Sequence, residues 1–450
     1  MTNQAPLWRR FLVFLGPMML ANILQALSGT INNIYLGQMI GVQALAAVSA
    51  FFPMLFFLIS FVIGLGAGAS VLIGQAYGAR EPEKVKAVAG TTLTVTLVAG
   101  LVLSIAGSFF IDQLLAAVGT PADILPDAIA YARVMLIALP LFFVLLLVTS
   151  MMRGVGDTVT SLYAFLILTA IGLVLTPAFI LGWAGLPRLG VTSGAWAGIV
   201  SLTVTYVWLF FYLRKRSHPL APDIVLFRHM SVDWRILGTV LRIGVPTGIQ
   251  VVLIAFAEVA VLSFVNAFGS NATAAYGTVN QVVSYVQFPA ISIAITASIF
   301  GAQAIGRGHT DQLGAIARTG ILVNFAVTGG LVLLAYLFSR TLIGFFITSA
   351  PVIELAQRLL HITLWSYVVF GTAGTISGVM RASGTVLWPT AISIFCVLGI
   401  EVPVAYLLSR GSLGINGIWT AYPVAFVAML ILQTAYYQLV WRRKTITRLI

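Results

Sequence analysis

Long apolar runs alternate with short polar breaks along the whole 450-residue chain. A helix needs about 20 mostly apolar residues to cross the hydrocarbon layer of a bilayer. Runs of that length cover residues 11–36, 44–74, 87–111, 128–152, 158–182, 191–213, 238–267, 272–304, 314–339, 351–379, 386–409 and 414–440. In lipid a helix satisfies its backbone polar groups within one segment. The pattern therefore predicts an all-α integral membrane protein with twelve transmembrane helices. The first run is too long for the core of a cleavable leader, and no small-residue cleavage site follows it, so it reads as a retained helix.

The longest polar stretch, 214–237, holds His218, Pro219, Pro222, Asp223, Arg228, His229 and Asp233. It reads as a linker between an N-terminal lobe, 1–213 with helices 1–6, and a C-terminal lobe, 238–450 with helices 7–12. The two lobes repeat. A constant offset of 228 pairs Gly41 with Gly269, Gln75 with Gln303, Gly78 with Gly306, Met152-Arg153 with Met380-Arg381 and Gly156 with Gly384. Six helices separate the copies, so topology is preserved and the repeat is parallel. Transporters built this way hold substrate where the repeats meet.

Composition narrows the class. Hydrophobic residues make up 60% and charged residues 8%, against roughly 25% charged in soluble domains. An ordinary soluble enzyme, a disordered chain and a disulfide scaffold are excluded; Cys396 is the single cysteine. The net charge of +12 would suit nucleic acid only if it gathered on one soluble face. Instead, of the 24 Lys and Arg, only Arg133, Arg188, Arg340, Arg358 and Arg410 fall on the side of the membrane opposite the termini. Basic loops stay in the cytoplasm. The charge is thus a topology signal: a multi-pass membrane protein, both termini cytoplasmic, with the lipid bilayer as its partner and no nucleic acid.

Ionisable groups inside spans are costly and usually face a cavity or pathway. Glu258 in helix 7 and Glu401 in helix 11 each lie nine residues before the outer end of their run, about 13 Å deep. His361 lies at a similar depth in helix 10. All three belong to the C-terminal lobe and are candidates for one protonatable, cation-coupling cluster, since a low dielectric favours the neutral acid. The alternatives are a hydrogen-bonded neutral acid for Glu258, satisfaction of backbone freed by Pro403 for Glu401, and hydrogen-bonded filler for His361. Helix 1 carries Asn22, Gln25, Gly29 and Asn32 on one face, and helix 8 carries Tyr276, Asn280, Ser284 and Gln287 on another. Such faces turn to protein or water; a substrate cavity and interhelical hydrogen bonding are the two readings. No Walker-type phosphate loop and no His-x-x-x-His pair occur, so neither enzyme activity, cofactor nor metal is expected.

Several short motifs share one source: Leu36-Gly37, Ala44-Leu45-Ala46-Ala47-Val48, Gly74-Gln75-Ala76-Tyr77-Gly78-Ala79 and Arg153-Gly154-Val155-Gly156-Asp157-Thr158, the last two with second copies at Gly301-Ala302-Gln303-Ala304-Ile305-Gly306 and Met380-Arg381-Ala382-Ser383-Gly384. Together they resemble the MATE family of multidrug and toxic-compound extrusion transporters, bacterial type, with features of its NorM-like and DinF-like branches. The resemblance implies a V-shaped bundle of two six-helix lobes and export of organic cations against inward protons or sodium. It also implies a cation-coupling role for Glu258. The chain departs from the family at three places. Asn32 stands where many members have an Asp, Thr176 precedes Pro177 where the DinF-like branch has an Asp, and Phe370 stands about where the NorM-like branch has an acid. The expectation is a monomeric multidrug exporter whose coupling resides in the C-terminal lobe, with Glu401 as partner of Glu258 and protons favoured over sodium. The rival reading is a flippase for a lipid-linked substrate, which would need arginines inside its cavity.

Overall fold

The structure, a computed structural model, describes residues 6–450. Among the described residues, twelve helices are long and apolar enough to cross a membrane: α1 Leu7–Ile40, α2 Val42–Gly78, α3 Pro82–Ala117, α4 Leu125–Val155, α5 Val159–Leu181, α6 Gly190–Lys215, α7 Trp234–Asn266, α8 Ser270–Gly306, α9 Thr310–Leu337, α10 Ala350–Ala382, α11 Leu387–Ser409 and α12 Ile415–Arg443. No strand occurs among the described residues. The expected all-α, twelve-span architecture is the one observed. Several helices outrun their apolar cores. At 37 residues, α2 is about 55 Å long against a hydrocarbon layer of about 30 Å, so its ends emerge into water.

The helices stop at repeat-related positions. Gly41 (φ 133°) separates α1 from α2, and Gly269 (φ 95°) separates α7 from α8. Gly156 (φ 90°) ends α4 and Gly384 (φ 78°) ends α10. The third pair is unequal: Gly308 has φ 81°, whereas Arg80, its counterpart 228 residues earlier, sits at φ 61°. A side chain in that region costs about 1–2 kcal/mol, which the repeat accepts in one copy only.

Packing divides the chain into two compact units. The first is Leu20–Val245. The second combines the stretch ending at Met19 with Pro246–Leu449. The divisions fall inside α1 and α7, two residues after Pro17 and at Pro246. Within the first unit the start of α7 lies backbone to backbone on α2. A methyl group on Gly68 would stand 2.4 Å from the Val240 carbonyl oxygen, and one on Gly244 would stand 2.7 Å from that of Gly64. Within the second unit the start of α1 is sealed by aromatic rings. Phe11 and Phe14 meet Phe300 edge-on at 4.8 and 5.4 Å.

The segment joining α6 to α7 belongs to the first unit. It contains a short helix, Ile224–Arg228, capped by Asp223, whose carboxylate accepts the Leu226 N–H at 2.9 Å. Asp223 also pairs with Lys86 of α3. The Thr91 hydroxyl donates to the Ser231 carbonyl at 3.2 Å. His218 Nε2 lies 3.3 Å from the carboxylate of Asp157, between α4 and α5.

Candidate functional site

In the second unit, α7 supplies Glu258, α8 supplies Tyr276 and Asn280, α10 supplies Tyr367 and Phe370, α11 supplies Glu401, and α12 supplies Trp419, Tyr422 and Phe426. The local cause of Glu401's placement is a break in helical pitch. Residues Phe395–Glu401 form a π-helical segment, and the Val402 N–H reaches back five residues to the Val397 carbonyl. Pro403 follows and has no N–H to give. Such wide turns often occur at functional sites. Here the wide turn ends on the acid, which is only 3% exposed.

Glu258 is exposed. The two carboxylates are within electrostatic reach of each other and of Tyr276 and Tyr367. Among the described residues, neither acid takes part in an ion pair. The structure therefore brings together the two acids that the sequence singled out, with no base to neutralise them.

Aromatic rings cluster about Tyr276 and Tyr367. The Tyr276 and Tyr422 hydroxyls lie 2.9 Å apart. Tyr276 stacks on Trp419 at 5.9 Å with an interplanar angle of 9°. Tyr367 meets Phe426 edge-on at 5.2 Å, and Phe370 meets Phe426 at 5.1 Å. Such rings and free carboxylates together suit a cation that carries apolar surface.

The rest of the α8 face is divided. Asn280 is exposed one turn beyond Tyr276. Ser284 spends its hydroxyl on the Asn280 carbonyl at 2.9 Å. Gln287 is half-buried farther along the helix. His361 stands elsewhere. It is exposed, stacks on Tyr336 at 4.9 Å, and its Nδ1 lies 2.7 Å from the Gln357 carbonyl one turn earlier. No hydrogen bond or ion pair joins it to Glu258 or Glu401 among the described residues.

The first unit has its own cavity, of about 190 Å³, lined by α1, α4, α5 and α6. Asn32 and Thr176 both line it, with Tyr35, Tyr131, Gly194 and Ser201. The two positions where the resemblance places acids thus meet in one pocket, and no carboxylate lines it. The Asn32 Oδ1 is buried with no hydrogen-bond partner. Gly194 permits this placement, since a methyl group there would lie 2.3 Å from that oxygen. Asn22 is half-buried and Gln25 exposed; neither lines the cavity.

Sequence reasoning missed Tyr367, Trp419, Tyr422 and Phe426. Their signal was present in the i, i+3, i+7 spacing of Trp419, Tyr422 and Phe426, which sets three rings on one face of α12. It also missed Gly194 as the neighbour of Asn32.

Similarity to known proteins agrees with this architecture. The MatE family model matches residues 17–178 and again 246–407, once in each half. The chain is 48% identical over 449 residues to the "Probable multidrug resistance protein YoeA" of Bacillus subtilis (strain 168), covering 100% of this chain and 97% of that protein. It is 23% identical over 424 residues to the "Multidrug export protein MepA" of Staphylococcus aureus (strain MRSA252), covering 93% of this chain and 91% of that one. Among solved structures, an outward-facing multidrug resistance MATE family transporter of the MOP superfamily superposes with a TM-score of 0.88 at 24% identity, covering 96% of this chain and 95% of its own. A MATE structure in the bent conformation gives 0.87 at 23% identity, covering 96% and 94%. The two solved structures establish the shared fold. With a family match in each half and a relative alike along its whole length, the chain belongs to the MATE family of membrane transporters.

Proposed function

We propose that this protein is a secondary multidrug exporter that moves lipophilic organic cations outward in exchange for inward protons. The observation that carries the reading is the pair Glu258 and Glu401, two unneutralised acids among aromatic rings. A buried carboxyl is stable when protonated and unstable when charged and alone. A bound organic cation relieves that instability as a proton does, so cation and proton compete for one site. Competition of this kind is the basis of antiport. Glu258 is the exposed member of that shared site and Glu401 the buried one, and cation and proton exclude each other on the pair. His361 takes no part in the exchange on this reading.

Proton coupling is preferred to sodium because the first unit's cavity has Asn32 and Thr176 in place of acids, leaving few anionic oxygens for a metal ion. The protein works as a monomer in a bacterial inner membrane; the Lys and Arg distribution supports both termini in the cytoplasm. The flippase reading lacks its main requirement, since the charged groups of the candidate site are acidic.

The test is transport of ethidium in proteoliposomes under an imposed pH gradient and, separately, an imposed sodium gradient. Export driven by pH and lost in Glu258→Gln is the expected result. Drive by sodium alone would overturn proton coupling. Full export by a normally folded Glu258→Gln protein would overturn the role of the acid, and no movement under either gradient would favour a lipid-linked substrate.

A further inference from the structure

The segment between α6 and α7 presents two unlike faces. Towards the first unit it buries Leu220, Ala221 and Leu226, at 5%, 7% and 5% exposure. Lys86–Asp223, His218–Asp157 and the Thr91–Ser231 hydrogen bond hold that face in place. Gly90 lets the segment come close, since a methyl group there would stand 2.3 Å from the His229 carbonyl oxygen. Away from the unit the segment exposes Ile224, Phe227 and Trp234, at 82%, 58% and 78%.

The charges are divided in the same way. Both acids of the segment are consumed locally: Asp223 by Lys86 and the Leu226 N–H, and Asp233 by the backbone N–H groups of Arg235 and Ile236. The bases are not. Arg214 and Arg216 lie over the Phe210 and Tyr212 rings. Lys215, Arg228 and Arg235 enter no ion pair among the described residues. The outward face is therefore apolar and mainly basic; its exposed acid, Asp233, caps the start of α7 through the Arg235 and Ile236 N–H groups.

Position adds the remaining constraint. The segment starts where one span ends, at Lys215, and finishes where the next begins, at Trp234. Both ends therefore lie on the cytoplasmic side, close to the boundary between membrane and water. Exposed aliphatic and aromatic side chains beside arginines are the composition of segments that lie in that boundary. Trp and Arg side chains both favour the headgroup level.

We propose that residues 214–235 form an interfacial anchor that inserts Ile224, Phe227 and Trp234 into the cytoplasmic leaflet and binds anionic lipid headgroups through Arg228 and Arg235. The occupant is the leaflet itself. Its acidic headgroups match the unpaired bases, and its acyl boundary receives the exposed apolar groups. The anchor is independent of what the protein transports.

The test uses the full-length chain. Cys396 is fully buried, so Phe227→Cys supplies an accessible thiol for a nitroxide spin label, with His309→Cys in another exposed loop as the control. The labelled protein is placed in nanodiscs of phosphatidylcholine alone, or with about one third phosphatidylglycerol. In the anionic nanodiscs the label at 227 should lose at least about threefold of its collision rate with a water-soluble nickel chelate and gain access to oxygen. The label at 309 should not change. Arg228→Gln with Arg235→Gln should return the 227 label to water, and Arg228→Lys with Arg235→Lys should keep it inserted. Equal nickel access in both lipids would overturn the proposal. So would equal shielding in both lipids that persists in the Gln pair, because the basic residues would then have no role.

Discussion

The hydroxyl groups of Tyr276 and Tyr422, 146 positions apart in sequence, lie 2.9 Å apart in the second unit. Both rings are buried, at 5% and 8% exposure. Each hydroxyl is a partner the other needs, because an unmatched buried hydroxyl costs about 1–3 kcal/mol. Tyr422→Phe should therefore lower the unfolding free energy by about 1–2 kcal/mol, read as a drop in melting temperature of the purified protein. The double variant Tyr276→Phe with Tyr422→Phe should be destabilised by less than the sum of the singles, since no hydroxyl is left stranded. Strict additivity would show that the two groups do not act as a pair.

Glu401 places an acid at 3% exposure without an ion pair. A group of this kind is kept for function at the expense of stability. Glu401→Gln should raise stability by about 0.5–2 kcal/mol while slowing gradient-driven ethidium export at least about tenfold. Melting curves and transport assays on the same preparation separate the two effects. A variant that loses stability and keeps transport would mark Glu401 as structural.

Gly194 and Asn32 share space at the first unit's cavity. Gly194→Ala should cost about 1–3 kcal/mol by overpacking. Because the obstruction is a side-chain amide, Asn32→Ala should recover much of that loss in the double variant. Gly244→Ala meets the backbone carbonyl of Gly64 instead, so no side-chain deletion should rescue it. Comparison of the three melting temperatures checks both statements.

Asp157 lies outside the membrane-spanning segments. Burial alone would raise its carboxyl, but hydrogen bonds from His218 and from the Thr160 hydroxyl and N–H hold it at about 2, below the ordinary 3.8. A depressed carboxyl contributes stability above its unfolded value, and that contribution fades as pH falls through the folded value. The wild-type protein should therefore lose stability between about pH 4 and pH 2 in a step that Asp157→Asn lacks. At neutral pH Asp157→Ala should cost about 0.5–2 kcal/mol through loss of the cap on α5, and Asn much less. Detergent-solubilised melting curves at graded pH read both effects.

The spans were legible because each is a long apolar run with a polar break. The repeat was legible because Gly41, Gly156 and their counterparts occupy left-handed backbone that other residues avoid. Arg80 hid the third such position, and only its counterpart Gly308 reveals it. Glu258 and Glu401 stood out because carboxyls are rare in lipid. Trp419, Tyr422 and Phe426 did not, since rings are common in any membrane span and their spacing carries little contrast. His361 had the right depth but faces a different helix, and depth along an axis does not fix rotation about it. The cavity beside Asn32 depends on Gly194, 162 positions later in the chain, and absent side chains leave little trace in a hydropathy pattern.

The divisions inside α1 and α7 have a consequence for how the chain comes to be folded. The unit built on Leu20–Val245 is completed by the opening turns of α7, and the unit built on Pro246–Leu449 is completed by the opening turns of α1. During synthesis the first unit cannot close until the ribosome has passed the linker, and the aromatic start of α1 waits for Phe300, nearly 300 residues behind it. A polypeptide severed in the linker would yield two fragments, each carrying the piece that finishes the other. Such fragments should be recoverable only when made together.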